Sequence, residues 1–240
     1  MVHKEVLLLA VTRMLGGVCI AGMTTDPDPV TGLRWVRPVR DYSHILLGDI
    51  TTARGELLQP FDVAEFSLLR PHPDPPHSED WITDFRHRPR VVRRLQGDRR
   101  THFLRTYQDA DPWQVLRTCE RSLCLFEPQW IKGCFRLDAY SGQFDARLAF
   151  GLDGQHLLGS HAKGGLAVTD LRWRALGRSW LPEDGGWVDF DMGDLEARFG
   201  IQNIYLAAGL TRSHQGGFWP IIVGIHTVPE YHAVVDPHNL

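Results

Sequence analysis

Residues 33–40 read Leu-Arg-Trp-Val-Arg-Pro-Val-Arg, and in an extended chain that order sorts its chemistry by face. Side chains alternate across a strand, so Trp35 and Arg37 share one side with Leu33 and Val39, while Arg34 and Arg40 share the other with Val36. Pro38 lacks a ladder N–H and marks an edge or a bulge. A strand of this kind offers Trp35 to stack a base, at about 1–3 kcal/mol, and Arg34, Arg37 or Arg40 to meet phosphate. The competing reading puts Trp35 in the core, where tryptophan is usually found, and pairs a buried Arg37 with a carboxylate. Trp81 is a second candidate ring.

The densest positive charge lies at 86–105, with eight arginines and two histidines against the single acid Asp98. Arg86, Arg90, Arg93 and Arg94 are the phosphate candidates there, with Phe85, Phe103 and Tyr107 nearby. Residues 121–240 instead hold ten bases against thirteen acids. The alternative for 86–105 is a solvated helix face that pairs with the acidic stretch at 183–196. At 212–215, Arg-Ser-His-Gln forms the tip of an expected hairpin, with Trp219 just beyond. Loop tips display functional side chains, so Arg212 and His214 are further phosphate candidates, and His214 can change charge near neutral pH. A plain solvated turn is the other reading.

Nucleophilic and metal chemistry find less to work with. The chain has no Gly-x-Ser-x-Gly, Walker A, His-Glu-x-x-His or Gly-x-Gly-x-x-Gly motif. Cys19 follows a Gly-Gly turn but alternates with Val18 and Ile20 as packing. Asp170 and Arg172 share a face of an expected strand, which reads as an ion pair, with Asp170 as a base or metal ligand the sharper alternative. Cys119, Cys124 and Cys134 lack the Cys-x-x-Cys spacing of a zinc site. His72 and His77 flank Pro73-Asp74-Pro75-Pro76, where polyproline geometry would splay the imidazoles apart. No catalytic residue, metal or cofactor is expected.

The positioning elements are short strands between Gly, Pro and Asp clusters, a pattern of sandwiches and barrels rather than alternating β and α units. Strands are expected at 5–12, 18–23, 33–39, 61–69 and 81–85, then a helix over 91–107. The polar segment 108–112 ends in proline and reads as a boundary. A second set of strands begins near 122. It includes a hairpin of 143–150 with 155–158 around Asp153-Gly154, a strand at 166–173, and a short helix over 191–199 ended by Gly200. The last hairpin pairs 204–211 with 219–226. Leu-Arg-Trp recurs at 33–35 and 171–173, a hint of duplication. Two domains are expected: residues 1–110, with an arginine-rich helical segment at 86–107, and residues 113–240.

A chain of 240 residues with 43% hydrophobic and 23% charged residues is long enough for a sizeable core. That composition excludes disorder, collagen and coiled coil as descriptions of the whole. A net charge of −3 leaves no whole-surface basic field, so a polyanion must be held by a local patch. The apolar run at 6–11 is too short for the core of a signal peptide and reads as a first strand. No run approaches the roughly 18 apolar residues of a membrane span. Four sparse cysteines are unlike a secreted disulfide framework. A cytoplasmic protein with no membrane contact is expected.

Leu15-Gly16-Gly17-Val18-Cys19-Ile20-Ala21-Gly22 and Trp35-Val36-Arg37-Pro38-Val39 resemble the opening motifs of the bacterial dual OB-containing domain family. The likeness continues through Leu68-Leu69-Arg70-Pro71-His72, Glu79-Asp80-Trp81-Ile82-Thr83-Asp84 and Val168-Thr169-Asp170 to the final hairpin, with 86–120 unmatched. Asp80 stands where the family pattern has asparagine. The resemblance implies a mainly β chain of two successive OB-like barrels with a helical insertion. It further implies a nucleic-acid-related role, in a bacterial defence or repair system, and no catalytic residue. OB barrels bind oligonucleotides over their second and third strands, so single-stranded RNA or DNA is the expected partner. The alternatives are an enzyme or sensor for a nucleotide-like small molecule held between the barrels by Cys19, Arg37 and Asp170, and a protein adaptor in a defence complex.

Overall fold

The structure, a computed structural model, describes residues 1–157, 164–182 and 184–236. It divides into two compact units, Met1–Cys124 and Leu125–Leu240.

Six strands make the first unit: β1 (Val2–Met14), β2 (Gly17–Met23), β3 (Trp35–Val39), β4 (Asp62–Pro71), β5 (Asp80–Thr83) and β6 (Arg90–Arg94). Their order is β1-β2-β3-β5-β4-β6, and β1 also pairs with β4. The first five therefore close on themselves as β1-β2-β3-β5-β4-β1, which leaves no edge in the circuit. All these pairings are antiparallel except β3 with β5. Residues 6–11 of β1 form the apolar run and are buried throughout, as a strand covered on both faces requires. Leu15 and Gly16 alone link β1 to β2, Met14 pairing with Gly17, and Gly16 supplies a φ of 81°. A 3-10 turn, Leu47–Ile50, lies between β3 and β4.

The expected helix over 91–107 is corrected. Residues 90–94 form β6 and pair with β4, Arg94 opposite Asp62 and Arg90 opposite Glu65. The helix, α1 (Gly97–Thr106), starts only at Gly97. Carboxylates on β4 decide this, because they reward an extended arginine run that local propensity leaves open. The proposed boundary at 108–112 instead starts a second helix, α2 (Pro112–Thr118), where Asp111 accepts from the Gln114 N–H at 2.8 Å. The division between units falls after Cys124. The 73–76 run is a tight turn rather than extended, with Asp74 and His77 exchanging backbone hydrogen bonds.

The second unit carries β7 (Leu123–Phe126), which begins two residues before the division, then β8 (Trp130–Leu137), β9 (Phe144–Leu152), β10 (Gln155–Leu157) and β11 (Leu166–Ala167). There follow α3 (Leu171–Trp180), β12 (Gly186–Asp191), α4 (Met192–Phe199), β13 (Asn203–Leu210) and β14 (Pro220–Val228). One sheet runs β10-β9-β8-β12 with β11 also on β9, and another runs β14-β13-β7. A parallel bridge from Val168 to Ile222 joins β11 to β14. With β7 and β8 taken as one bent first strand, the circuit is first-second-third-fifth-fourth-first, the order of the first unit. The contact between its third and fifth strands is again parallel. Phe135 centres the core, with Phe144, Trp173, Trp180 and Phe190 ring centroids 4.7–6.1 Å away.

The Asp153-Gly154 hairpin forms as expected, with φ of 49° and 73° at its two turn residues; residue 158 lies outside the described residues. The helix over 191–199 also forms, capped by Asp191 and ended by Gly200. The strand expected at 166–173 does not run through: β11 stops at Ala167 and α3 begins at Leu171. The two Leu-Arg-Trp copies consequently differ, one leading into a strand and the other opening a helix. No described helix is long and apolar enough to cross a membrane. The chain is mainly β with minor α, built from OB-like barrels.

Candidate functional site

The first barrel buries the rings that the sequence offered for stacking. Trp35 is 1% and Trp81 3% exposed, because both faces of β3 and β5 are covered and neither ring reaches solvent. Arg37 lies in the same layer, its Nε donating to Asp80 Oδ1 at 2.5 Å. The two occupy paired positions on β3 and β5. Burial works against the Arg37 charge, but Asp80, the Cys19 thiol and Glu79 outweigh it and lift its pKa above the ordinary arginine value. Its Nη2 is buried without a hydrogen-bond partner. Glu79, fully buried, accepts from the Ser122 hydroxyl and N–H. Arg37 is thus a structural cation and not a phosphate contact.

The other arginines expected to hold phosphate are mostly spoken for. Arg40 grips Asp49 with two hydrogen bonds of 3.1 and 2.6 Å. Arg86 grips Asp84 in the same manner at 2.9 and 2.8 Å, and its hydrogen bonds hold the Asp84 carboxyl well below the usual carboxylate range. On β6, Arg90 meets Glu65 at 3.1 Å, Arg93 meets Glu5 at 2.9 Å and Arg94 meets Asp62 at 2.6 Å. The partners are carboxylates of β1 and β4, not the acidic stretch at 183–196, whose residue 183 lies outside the described residues. The Arg90 and Arg93 side chains remain more than half exposed, so theirs are surface pairs of small individual worth, whereas Arg94 meets a buried Asp62.

Arg34 differs. It donates to the Thr25 carbonyl and lies 5.3 Å from the Tyr107 ring centroid. Tyr107 in turn stacks on Phe103 of α1 at 4.7 Å. Arg34 therefore holds the end of α1 against the connection that leads into β3.

In the second unit, Asp170 and Arg172 are corrected from a same-strand ion pair. Asp170 is the N-cap of α3, accepting from the Trp173 N–H at 2.9 Å and the Ile225 N–H at 2.8 Å. Complete burial raises its pKa to about 6 against the pull of those two donors. Each carboxylate oxygen of Asp170 thereby accepts one backbone N–H. Arg172 turns instead to Glu230 and the Tyr231 carbonyl, each at 2.8 Å. A cleft of about 330 Å³ lies over the paired strands β8 and β12, lined by Lys132, Cys134, Asp189 and Asp191 among others. Burial and then Asp189 push the Cys134 thiol up, so it is a poor nucleophile.

The β13–β14 loop places Arg212 and His214 in solvent, as the sequence suggested. Reciprocal backbone hydrogen bonds between His214 and Gly217, at 2.9 and 3.1 Å, close its tip. Trp219 completes the site: its indole Nε1–H donates to the His214 carbonyl at 3.1 Å and its N–H to Thr211 Oγ1 at 3.0 Å. A Cβ at Gly217 would touch the indole at 3.5 Å, so the ring packs against that glycine. The ring remains 53% exposed. No acid occurs between 211 and 221. Trp219 is a fixed, solvent-facing aromatic surface in the same loop as Arg212 and His214.

The β8–β9 loop of the same barrel presents Tyr140, fully exposed, on a turn held by Asp138. Sequence reasoning passed over Tyr140, whose signal was its place between Asp138 and Gly142. It also passed over Trp187, 69% exposed on β12 opposite Arg136.

A family model described as dual OB-containing domain matches residues 4–129, more than half of the chain. Comparison with curated proteins and with solved structures gives no match.

Proposed function

This chain belongs to the dual OB-containing domain family, and from that membership we propose that it is a binding module for single-stranded nucleic acid. OB barrels take oligonucleotides on the face of strands two and three and on the loops joining strands one to two and four to five. In the second unit those loops are β8–β9 and β13–β14. The observation that carries the reading is the β13–β14 loop, where Trp219 keeps an exposed face and which also carries Arg212 and His214. An unpaired base offers a π-face to such a ring, whereas a base inside a duplex does not. Tyr140 on the other loop supports the same use. The four cysteines are all free, which suits the reducing cytoplasm in which we place the protein.

The test is a salt titration with a labelled single strand and its duplex. Binding of the single strand is expected to be the tighter, with log K falling linearly against log salt. Arg212→Ala is expected to weaken it. Equal affinity for duplex and single strand, or affinity indifferent to salt, overturns the reading.

A further inference from the structure

Five exposed arginines of the first unit, Arg70, Arg86, Arg90, Arg93 and Arg94, meet carboxylates, and among those that do not, Arg99 and Arg105 share one side of α1. Arg99 and Arg105 are exposed, and neither guanidinium has an ion-pair or hydrogen-bond partner among the described residues. His102 lies between them at three-residue steps, which spreads the three over about 120° of one helix side. Its Nε2 is 3.5 Å from the Thr106 hydroxyl. One acid, Asp98, shares that side; it sits in the first turn, where the helix N-terminus favours it, and leaves the stripe net positive.

The buried side of α1 explains why the stripe is fixed in place. Leu104 is fully buried, and Arg100 packs 4.3 Å from the Phe61 ring centroid. Phe103 stacks on Tyr107, over which Arg34 lies. The helix is clamped at its middle and at its end, so its exposed cations are displayed from a rigid support at no ordering cost to the helix.

We propose that α1 is a phosphate-binding stripe, in which Arg99 and Arg105, with His102 between them, contact the sugar-phosphate backbone of a single strand. The inference rests on the reading that this chain binds single-stranded nucleic acid. Arg99 and Arg105 stand about 9 Å apart along the helix axis, so they address different phosphates.

The experiment is the salt dependence of single-strand binding by the full chain, wild type against the Arg99→Ala/Arg105→Ala pair. Two lost phosphate contacts are expected to reduce the slope of log K against log salt by about 1.4. Arg99→Lys/Arg105→Lys is expected to keep the wild-type slope, because charge and not fork geometry matters at a backbone contact. Arg13→Ala/Arg54→Ala, an exposed pair in the same unit, controls for loss of net charge and is expected to leave the slope in place. An unchanged slope in the Arg99/Arg105 variant, with wild type still salt-dependent, overturns the inference and leaves the function standing. So does an equal fall in the control pair. Absence of salt-dependent binding by wild type overturns both.

Discussion

Arg37 and Asp80 occupy matched positions on β3 and β5, the one parallel pair of the first barrel, and their side chains join at 2.5 Å in a layer where Asp80 is fully buried and Arg37 8% exposed. The pair cross-links the strands on which barrel closure depends. A buried guanidinium that loses its carboxylate keeps its desolvation cost without the compensating attraction. Asp80→Asn is therefore expected to destabilise the first unit by about 3–5 kcal/mol. Urea unfolding followed by a probe in that unit measures it. Arg37→Met/Asp80→Leu is expected to recover much of the loss, since a packed apolar pair needs no compensation; a loss larger than that of the single variant would contradict this account.

Asp170 gives the second unit a pH dependence of unusual sign. Its folded pKa is about 6 against an ordinary 3.8, so the folded state binds the proton more tightly than the unfolded chain. The associated stability is present in full below pH 3.8 and is lost as pH rises through 6. The change is on the order of 3 kcal/mol. Most paired carboxylates act in the opposite direction, so the signal is read as a difference between wild type and Asp170→Asn. The stability of wild type relative to that variant is expected to fall between pH 4 and pH 7. A difference that stays constant with pH would show that Asp170 ionises normally.

The same residue shows where local sequence stops informing structure. The Asp153-Gly154 turn and the Asp191 and Gly200 caps were legible because each is settled within a few residues. α3 was not. Its start depends on a carboxylate that also holds the Ile225 N–H, 55 residues away, and without that bond the segment reads as a strand. β6 was misread for a similar reason, its arginines answering to Asp62, Glu65 and Glu5 on other strands. For Trp35 the sequence left stacking and core readings open, because alternation alone does not say whether a face meets solvent; in this barrel both faces of β3 are covered and the core reading holds. The hairpin tip was legible, and Arg212 and His214 with it, since a turn has nothing to bury them under.

The carboxylates that occupy the β6 arginines make a separate prediction. Glu5 and Glu65 are partly exposed, so Glu5→Gln/Glu65→Gln is expected to shift stability by less than about 1 kcal/mol per pair. It releases Arg90 and Arg93 from their carboxylates as mobile cations on β6. Affinity for a single strand at low salt is expected to rise, with a steeper salt slope, in a fluorescence anisotropy titration. Unchanged affinity would mean that β6 lies outside the strand's path.

Trp219 separates base contact from phosphate contact. Stacking of one base on an exposed ring contributes about 1–3 kcal/mol, which corresponds to a loss of roughly 5- to 150-fold in affinity on Trp219→Ala. The indole N–H that bonds the His214 carbonyl shapes the loop, so truncation alone confounds stacking with loop order. Trp219→Phe removes that hydrogen bond and keeps a ring on Gly217, and it is expected to regain most of the affinity. Neither variant adds or removes a charge, so the slope of log K against log salt is expected to stay at the wild-type value in both. If Trp219→Phe binds as poorly as Trp219→Ala, the indole serves the loop and not the base; if the slope falls instead, the loss reflects displacement of Arg212 and His214.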